Sequence, residues 1–179
     1  MNIFVLHEDP RKAARMMCDK HIPKMVVESA QMLASALRTH GAIDEEMPLT
    51  QKGTPYKGGY HNHPCTRWTS MTQMNYTWLL WHARELSLQY YLRFKKTHAC
   101  SQAILKMSEN KMIDKIPMGR LTPFARAFNK DRYPYLYDEK KYTAVEAYRV
   151  YYSLDKRRFA TWDKGTPAPK WWEETKVKQ

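Results

Sequence analysis

Cys18-Asp19-Lys20-His21-Ile22-Pro23-Lys24-Met25-Val26-Val27-Glu28-Ser29-Ala30-Gln31 joins a helical apolar stripe to the densest chemistry in the chain. A thiol, two carboxylates, an imidazole and two amines fall between Cys18 and Glu28. On a helix after Pro23, Lys24, Glu28 and Gln31 share one face, because they are four and three residues apart. Met25, Val26, Ser29, Leu33, Ala36 and Leu37 form a second face with core character. One side is therefore buried and the other displays charges able to act together. The plain alternative is a solvated polar face.

Working outward, the spacing predicts a mostly α chain. Asp9-Pro10 is a helix start, with Asp as N-cap and Pro in the first helical position. That helix runs through Cys18, and Pro23 predicts a kink or break near His21-Ile22. The next helix ends near Arg38, before Thr39-His40-Gly41. Residues 41–66 carry four Gly and three Pro and read as one long loop. A helical region over about 67–98 follows, allowing one break. A shorter helix covers Ser101 to Met107, and a small one Pro123 to Phe128 within an irregular stretch. Thr143-Ala144-Val145-Glu146 is a capping box that opens a helix to about Trp162. Asn2 to Leu6 reads as a strand or extended lead-in, and residues 164–179 as a Pro/Trp tail that folds back. No internal repeat divides the chain, so residues 1–179 read as a single helical bundle domain with long loops.

The chain has 179 residues, 30 Lys+Arg, 18 Asp+Glu and a formal net charge of +12. Such an excess fits a polyanionic partner such as DNA. Twelve Tyr and six Trp interleave with the basic residues, a combination suited to phosphate pairing with base stacking. Three cysteines without framework spacing suit a reducing compartment. No apolar run approaches a membrane span, and the N-terminal apolar run is too short for a signal sequence, so the expected location is the cytoplasm.

Cys18, His21, His61, His63 and Cys65 are the residue types zinc prefers, but their spacing matches no finger or ribbon. The favoured reading has no metal and no cofactor. The Gly53–Gly59 stretch lacks the ending of a phosphate-binding loop. DNA-directed base chemistry fits better. It requires an amine or activated water to attack a sugar C1′, a carboxylate or imidazole for charge and protons, and aromatics for unstacked bases. Lys20, Lys24, Asp19, His21 and Glu28 meet the first needs. Tyr60, Trp68, Tyr76 and Trp78 are candidates for the last.

The opening Asn2-Ile3-Phe4-Val5-Leu6, the Cys18–Met25 stretch, Asn62-His63-Pro64-Cys65, Pro123–Ala127, Ala144–Tyr152 and Pro169-Lys170-Trp171 together resemble small phage proteins of the pyrimidine-dimer DNA glycosylase-like group. The resemblance implies a compact, mostly helical domain that binds a kinked duplex through a basic helix face. It also implies an N-terminal amine that attacks C1′ to form an imine, and a glutamate that assists. The amine here would be that of Met1. The segment Lys20–Lys24 matches the one holding the family's glutamate. His21 stands at the matching position, and Glu28 is the carboxylate further along.

The expected roles are then as follows. Met1 or Lys20 acts as nucleophile. His21, Glu28 and His63 handle protons and charge. Lys24, Arg67, Trp68 and Arg93 contact DNA. Asp19, Asn75, His82 and Glu85 line the pocket. Glycosylase or glycosylase/lyase action on a damaged or modified base is the leading expectation. Base hypermodification of phage DNA and a non-catalytic host-takeover module are the alternatives.

Overall fold

The structure, a computed structural model, describes residues 1–174. Its helices are α1 (Pro10–Arg15), α2 (His21–Thr39), α3 (Pro64–Met71), α4 (Gln73–Phe94), α5 (Ser101–Ser108), α6 (Ala144–Asp155) and α7 (Lys170–Glu174). Short 3-10 turns occur at Asp44–Glu46, Lys111–Lys115 and Pro134–Tyr137. Among the described residues no strand forms; the sole β pairing is an isolated bridge between Leu49 and Pro55. The fold class expected from the periodicity is the one observed.

α2 is the central element. Its apolar stripe is buried, and α3, α4 and α5 all pack on it. From Ser29 to Leu37 every residue except Gln31 is buried, so its charged face survives only near the N-terminal end. α1 lies across α4. It is capped by the Asp9 carboxylate, which accepts the Arg11 and Lys12 amides at 2.8 and 3.1 Å. Thr72 caps α4 by accepting the Asn75 amide, which accounts for the break between α3 and α4.

Several boundaries differ from the expectation. Pro23 does not break α2. The helix begins two residues earlier, so Pro23 occupies the first turn, where a missing N–H costs no intrahelical bond. The chain break lies instead between Arg15 and His21. Asn2 to Leu6 is a buried lead-in rather than a strand, with Phe4 at φ 54°.

Pro123–Phe128 is not helical. Its backbone groups are satisfied from outside: Tyr148 donates to the Ala125 carbonyl and Asn2 Nδ2 to the Ala127 carbonyl, both at 2.8 Å. α6 opens on the expected Thr143–Glu146 capping box but stops at Asp155, well before Trp162. Beyond it the chain is drawn to Asp19, whose amide donates to the Thr161 carbonyl and whose carboxylate accepts the Asp163 amide. The Pro/Trp tail does fold back, with Trp172 buried against Trp162 and Tyr152. Residues 175–179 of the expected tail lie outside the described residues.

The 41–66 loop is held at several points. The Arg38 guanidinium donates to the Ala42 and Tyr56 carbonyls, and the Ser35 hydroxyl both accepts the Gly59 amide and donates to its carbonyl. These bonds bring Tyr60 beside the first turns of α2.

Candidate active site

The start of the chain is fixed before any site is formed. Asn2 Oδ1 accepts the amides of Ile3 and Phe4, and its Nδ2 reaches the Ala127 carbonyl. The Met1 sulfur accepts the Thr66 hydroxyl on α3 at 3.3 Å. With side chains anchored on both sides, the Met1 amino group is held near the polar face of α2. It stands 4.0 Å from Glu28 Oε2, and the same oxygen accepts the Asn2 amide at 2.8 Å. Lys24, one turn before Glu28, places its amine 3.5 Å from Oε1.

Met1, Lys24, Val27, Glu28, Gln31 and Tyr60 line an open hollow of about 320 Å³. A second hollow of about 610 Å³ is lined by Lys20, His21, Lys24, Lys156, Arg158 and Phe159. Lys24 belongs to both walls, so the amine–carboxylate hollow adjoins a trench bordered by four cations.

The trench has an aromatic floor. His21 stacks on Phe4 with ring centres 4.7 Å apart, Lys156 sits over Phe4 at 5.5 Å, and Lys20 over Phe159 at 4.8 Å. His21 is buried and hydrogen-bonded to the Tyr152 hydroxyl at 2.8 Å. Burial, and then the nearby Lys156, Lys24 and Lys20 charges, hold its pKa down to about 3. At neutral pH it is an uncharged part of the wall. Burial and the Tyr152 bond give His21 a packing and lining role here.

His63 caps α3 by accepting the Cys65 amide on Nδ1 at 3.2 Å. Its pKa is lowered by burial and by the Met1 amino group, with Glu28 acting in the opposite sense. The imidazole thus lies in the electrostatic reach of both the Met1 amino group and Glu28.

Other candidates belong elsewhere. Arg93 is buried and faces inward. It pairs with Asp19 at 3.0 Å and donates to the Met17 and Arg15 carbonyls. Arg93 is not at the surface to meet DNA, Asp19 lines neither hollow, and their bonds fasten α4 to the α1–α2 junction. Trp68 is buried against Trp78 and Phe124 and cannot stack on a base. Arg67 is exposed but lines a different hollow, with Asn62, Pro64 and Met71 among its walls.

Asn75 is buried and bonds to the Trp68 carbonyl and to Thr122. His82 is buried beneath Trp78, its Nδ1 on the Pro10 carbonyl at 2.9 Å. Glu85 accepts from Arg15 and Gln89. The polar stripe on α4 is therefore mainly an internal hydrogen-bond seam and lies apart from both hollows; Glu85 borders a separate hollow of about 410 Å³ with Arg11, Arg15, Trp81, Arg84 and Leu88.

The five candidate zinc ligands are not brought together as a set. Among the described residues no group of three or more His, Cys, Asp and Glu is placed to hold a metal ion. Cys18 lies beside Tyr152 and Cys65 beside Tyr148, both buried, while His61 is exposed. Burial raises both thiols, Cys65 to about 12, which leaves them poor nucleophiles.

Lys156, Arg158 and Phe159 were not expected at the site. A helix continued to Trp162 would have distributed Lys156-Arg157-Arg158 around its surface. The early end of α6 instead turns Lys156 and Arg158 toward α2. The basic triplet was the available signal.

A family model described as pyrimidine dimer DNA glycosylase matches residues 1–102, which include the Met1 amine, α2, Tyr60, His63, α3 and α4. The chain belongs to the pyrimidine dimer DNA glycosylase family. Membership implies a DNA-binding protein. No curated protein and no solved structure matches the chain. No helix among the described residues is long and apolar enough to cross a membrane.

Proposed function

We propose that the protein is a DNA glycosylase with associated lyase chemistry, acting at a damaged pyrimidine site through the Met1 amine. The observation that carries this reading is the anchored amine 4.0 Å from the Glu28 carboxylate, in a hollow adjoining a cationic trench. The lesion class follows the description of the family; the reaction class follows the groups present.

In this reading the trench takes the phosphate backbone, and the sugar of the damaged nucleotide enters beside Met1. The amine lone pair bonds to C1′ as the glycosidic bond breaks, and its electron pair leaves with the base, which takes a proton from solvent. Glu28 stabilises the positive charge that develops at the sugar, where a carboxylate in a partly desolvated site is most effective. The nitrogen then gives up a proton, the C1′–O4′ bond opens with O4′ protonated, and an imine results. Glu28 can next accept a C2′ proton as the C3′–O bond breaks and the phosphate departs. Water hydrolyses the imine and frees the amine.

Met1 is preferred to Lys20 on geometry. Lys20 sits over Phe159 and borders the trench, and no carboxylate ion pair reaches it among the described residues. Nicking of ultraviolet-irradiated supercoiled plasmid tests the proposal. Irradiated plasmid should be nicked and unirradiated plasmid spared; equal treatment of both would overturn it.

A further inference from the structure

Of the four aromatic candidates for holding an unstacked base, three are consumed by the core. Trp68, Tyr76 and Trp78 are at most 6% exposed, whereas Tyr60 is 67% exposed. Tyr60 also lines the hollow that holds the Met1 amine and Glu28. Among the described residues its ring has no hydrogen-bond, aromatic or cationic partner. Its apolar face is thus presented to whatever enters.

The backbone beneath that ring is constrained. Tyr60 has φ 54°, a left-handed conformation uncommon for a bulky residue. It is held there from both sides. Gly59 is clamped to Ser35 on α2 by two hydrogen bonds, at 2.8 and 3.0 Å, and the Tyr60 carbonyl accepts the His63 amide at 2.9 Å. Gly58 makes the close approach possible: a Cβ there would overlap Ser35, whose Cα would lie 2.8 Å away. A fixed backbone carrying an unpartnered ring is the arrangement of a stacking platform, because little freedom is lost on binding.

We propose that Tyr60 is the base-stacking residue of the site: its ring takes an unstacked nucleobase next to the reacting sugar and keeps C1′ open to the Met1 amine. The ligand class is a single unpaired base of either type, since every base offers a π-face. The inference rests on the glycosylase reading and supplies its substrate-positioning contact.

The test uses the full chain and a duplex carrying a non-cleavable tetrahydrofuran abasic analogue with 2-aminopurine as its neighbour. Wild type and Tyr60→Phe should bind similarly and quench the 2-aminopurine fluorescence. Tyr60→Leu should bind about 5- to 150-fold more weakly, the range expected for one base–aromatic stack, and leave the probe bright. Circular dichroism should show Tyr60→Leu folded, as expected for an exposed side chain. Equal binding and quenching by Tyr60→Leu would overturn the inference.

Borohydride trapping on a natural abasic duplex at saturating protein separates the two claims. Trapping of wild type with quenching indifferent to residue 60 removes the platform and keeps the amine chemistry. Quenching that depends on Tyr60 without any trapping keeps the platform and removes the amine chemistry.

Discussion

The Glu28 carboxylate accepts the backbone amide of Asn2 at 2.8 Å, so the central helix and the first peptide unit of the chain are joined at one oxygen. That bond, with the Asn2 and Met1 side-chain anchors, converts a chain end into a positioned group. Positioning of this kind supplies much of an enzyme's advantage when the reacting atoms are held without further loss of freedom.

Glu28→Gln keeps an acceptor for the Asn2 amide but removes the negative charge beside the amine. Nicking of irradiated DNA should fall about 10²- to 10⁴-fold, the usual range for loss of an acid–base group. DNA affinity and the thermal midpoint should change little. Single-turnover nicking rates check this, and a loss below tenfold would remove Glu28 from the chemistry.

Lys24 and Arg158 border the trench and neither is buried. If each neutralises one phosphate, Lys24→Ala with Arg158→Ala should reduce the slope of log K against log salt by about 1.8. Duplex binding across a salt series reads this directly. An unchanged slope would place the DNA elsewhere on the protein.

Arg93 gives the opposite result despite its charge. Its pairing with Asp19 and its bonds to two backbone carbonyls are internal. Arg93→Met should cost about 3–5 kcal/mol of stability by stranding a buried carboxylate. The salt slope of DNA binding should stay as in wild type. Urea unfolding measures the first and the same salt series the second.

Two buried histidines make stability depend on pH. Burial first of all holds His21 to about 3 and His82 to about 4, both below the ordinary histidine value. Between the folded and unfolded values the unfolded chain binds more protons. Stability is therefore complete above about pH 6.5 and declines as pH falls toward 4, by at most about 1.4 kcal/mol per pH unit for each histidine. Urea midpoints at pH 7.5, 6 and 5 should fall in that order. His82→Asn should be weaker at pH 7.5 but lose less on acidification.

Much of this architecture is legible in local pattern. The apolar stripe of α2, the Asp9-Pro10 start of α1 and the Thr143–Glu146 box of α6 each depend on neighbours no more than four residues away, and each follows from local sequence. The site was legible only in part. Lys24 and Glu28 share a helix face, so their association follows from periodicity; Met1 meets Glu28 only through tertiary anchors.

The misplaced candidates share one cause. Asn75, His82 and Glu85, expected at the pocket, and Arg93, expected on DNA, recur at helical spacing with a polar character, which pattern alone cannot distinguish from an accessible binding face. They are buried because each finds a partner on a distant segment: Asn75 on Thr122, His82 on Pro10, Glu85 on Arg15, Arg93 on Asp19. Pro23 is ambiguous in sequence for a related reason, since its effect depends on whether it falls in the first turn or the interior of a helix. Lys156 and Arg158 reach the trench because Asp19 bonds both Thr161 and Asp163.

The most direct measurement is the site of covalent attachment. Protein incubated with abasic or irradiated duplex is reduced with borohydride, digested and sequenced by mass spectrometry. The account predicts a reduced sugar adduct on the α-nitrogen of Met1. An adduct mapped to Lys20 or Lys24, or none on any such duplex, would contradict it.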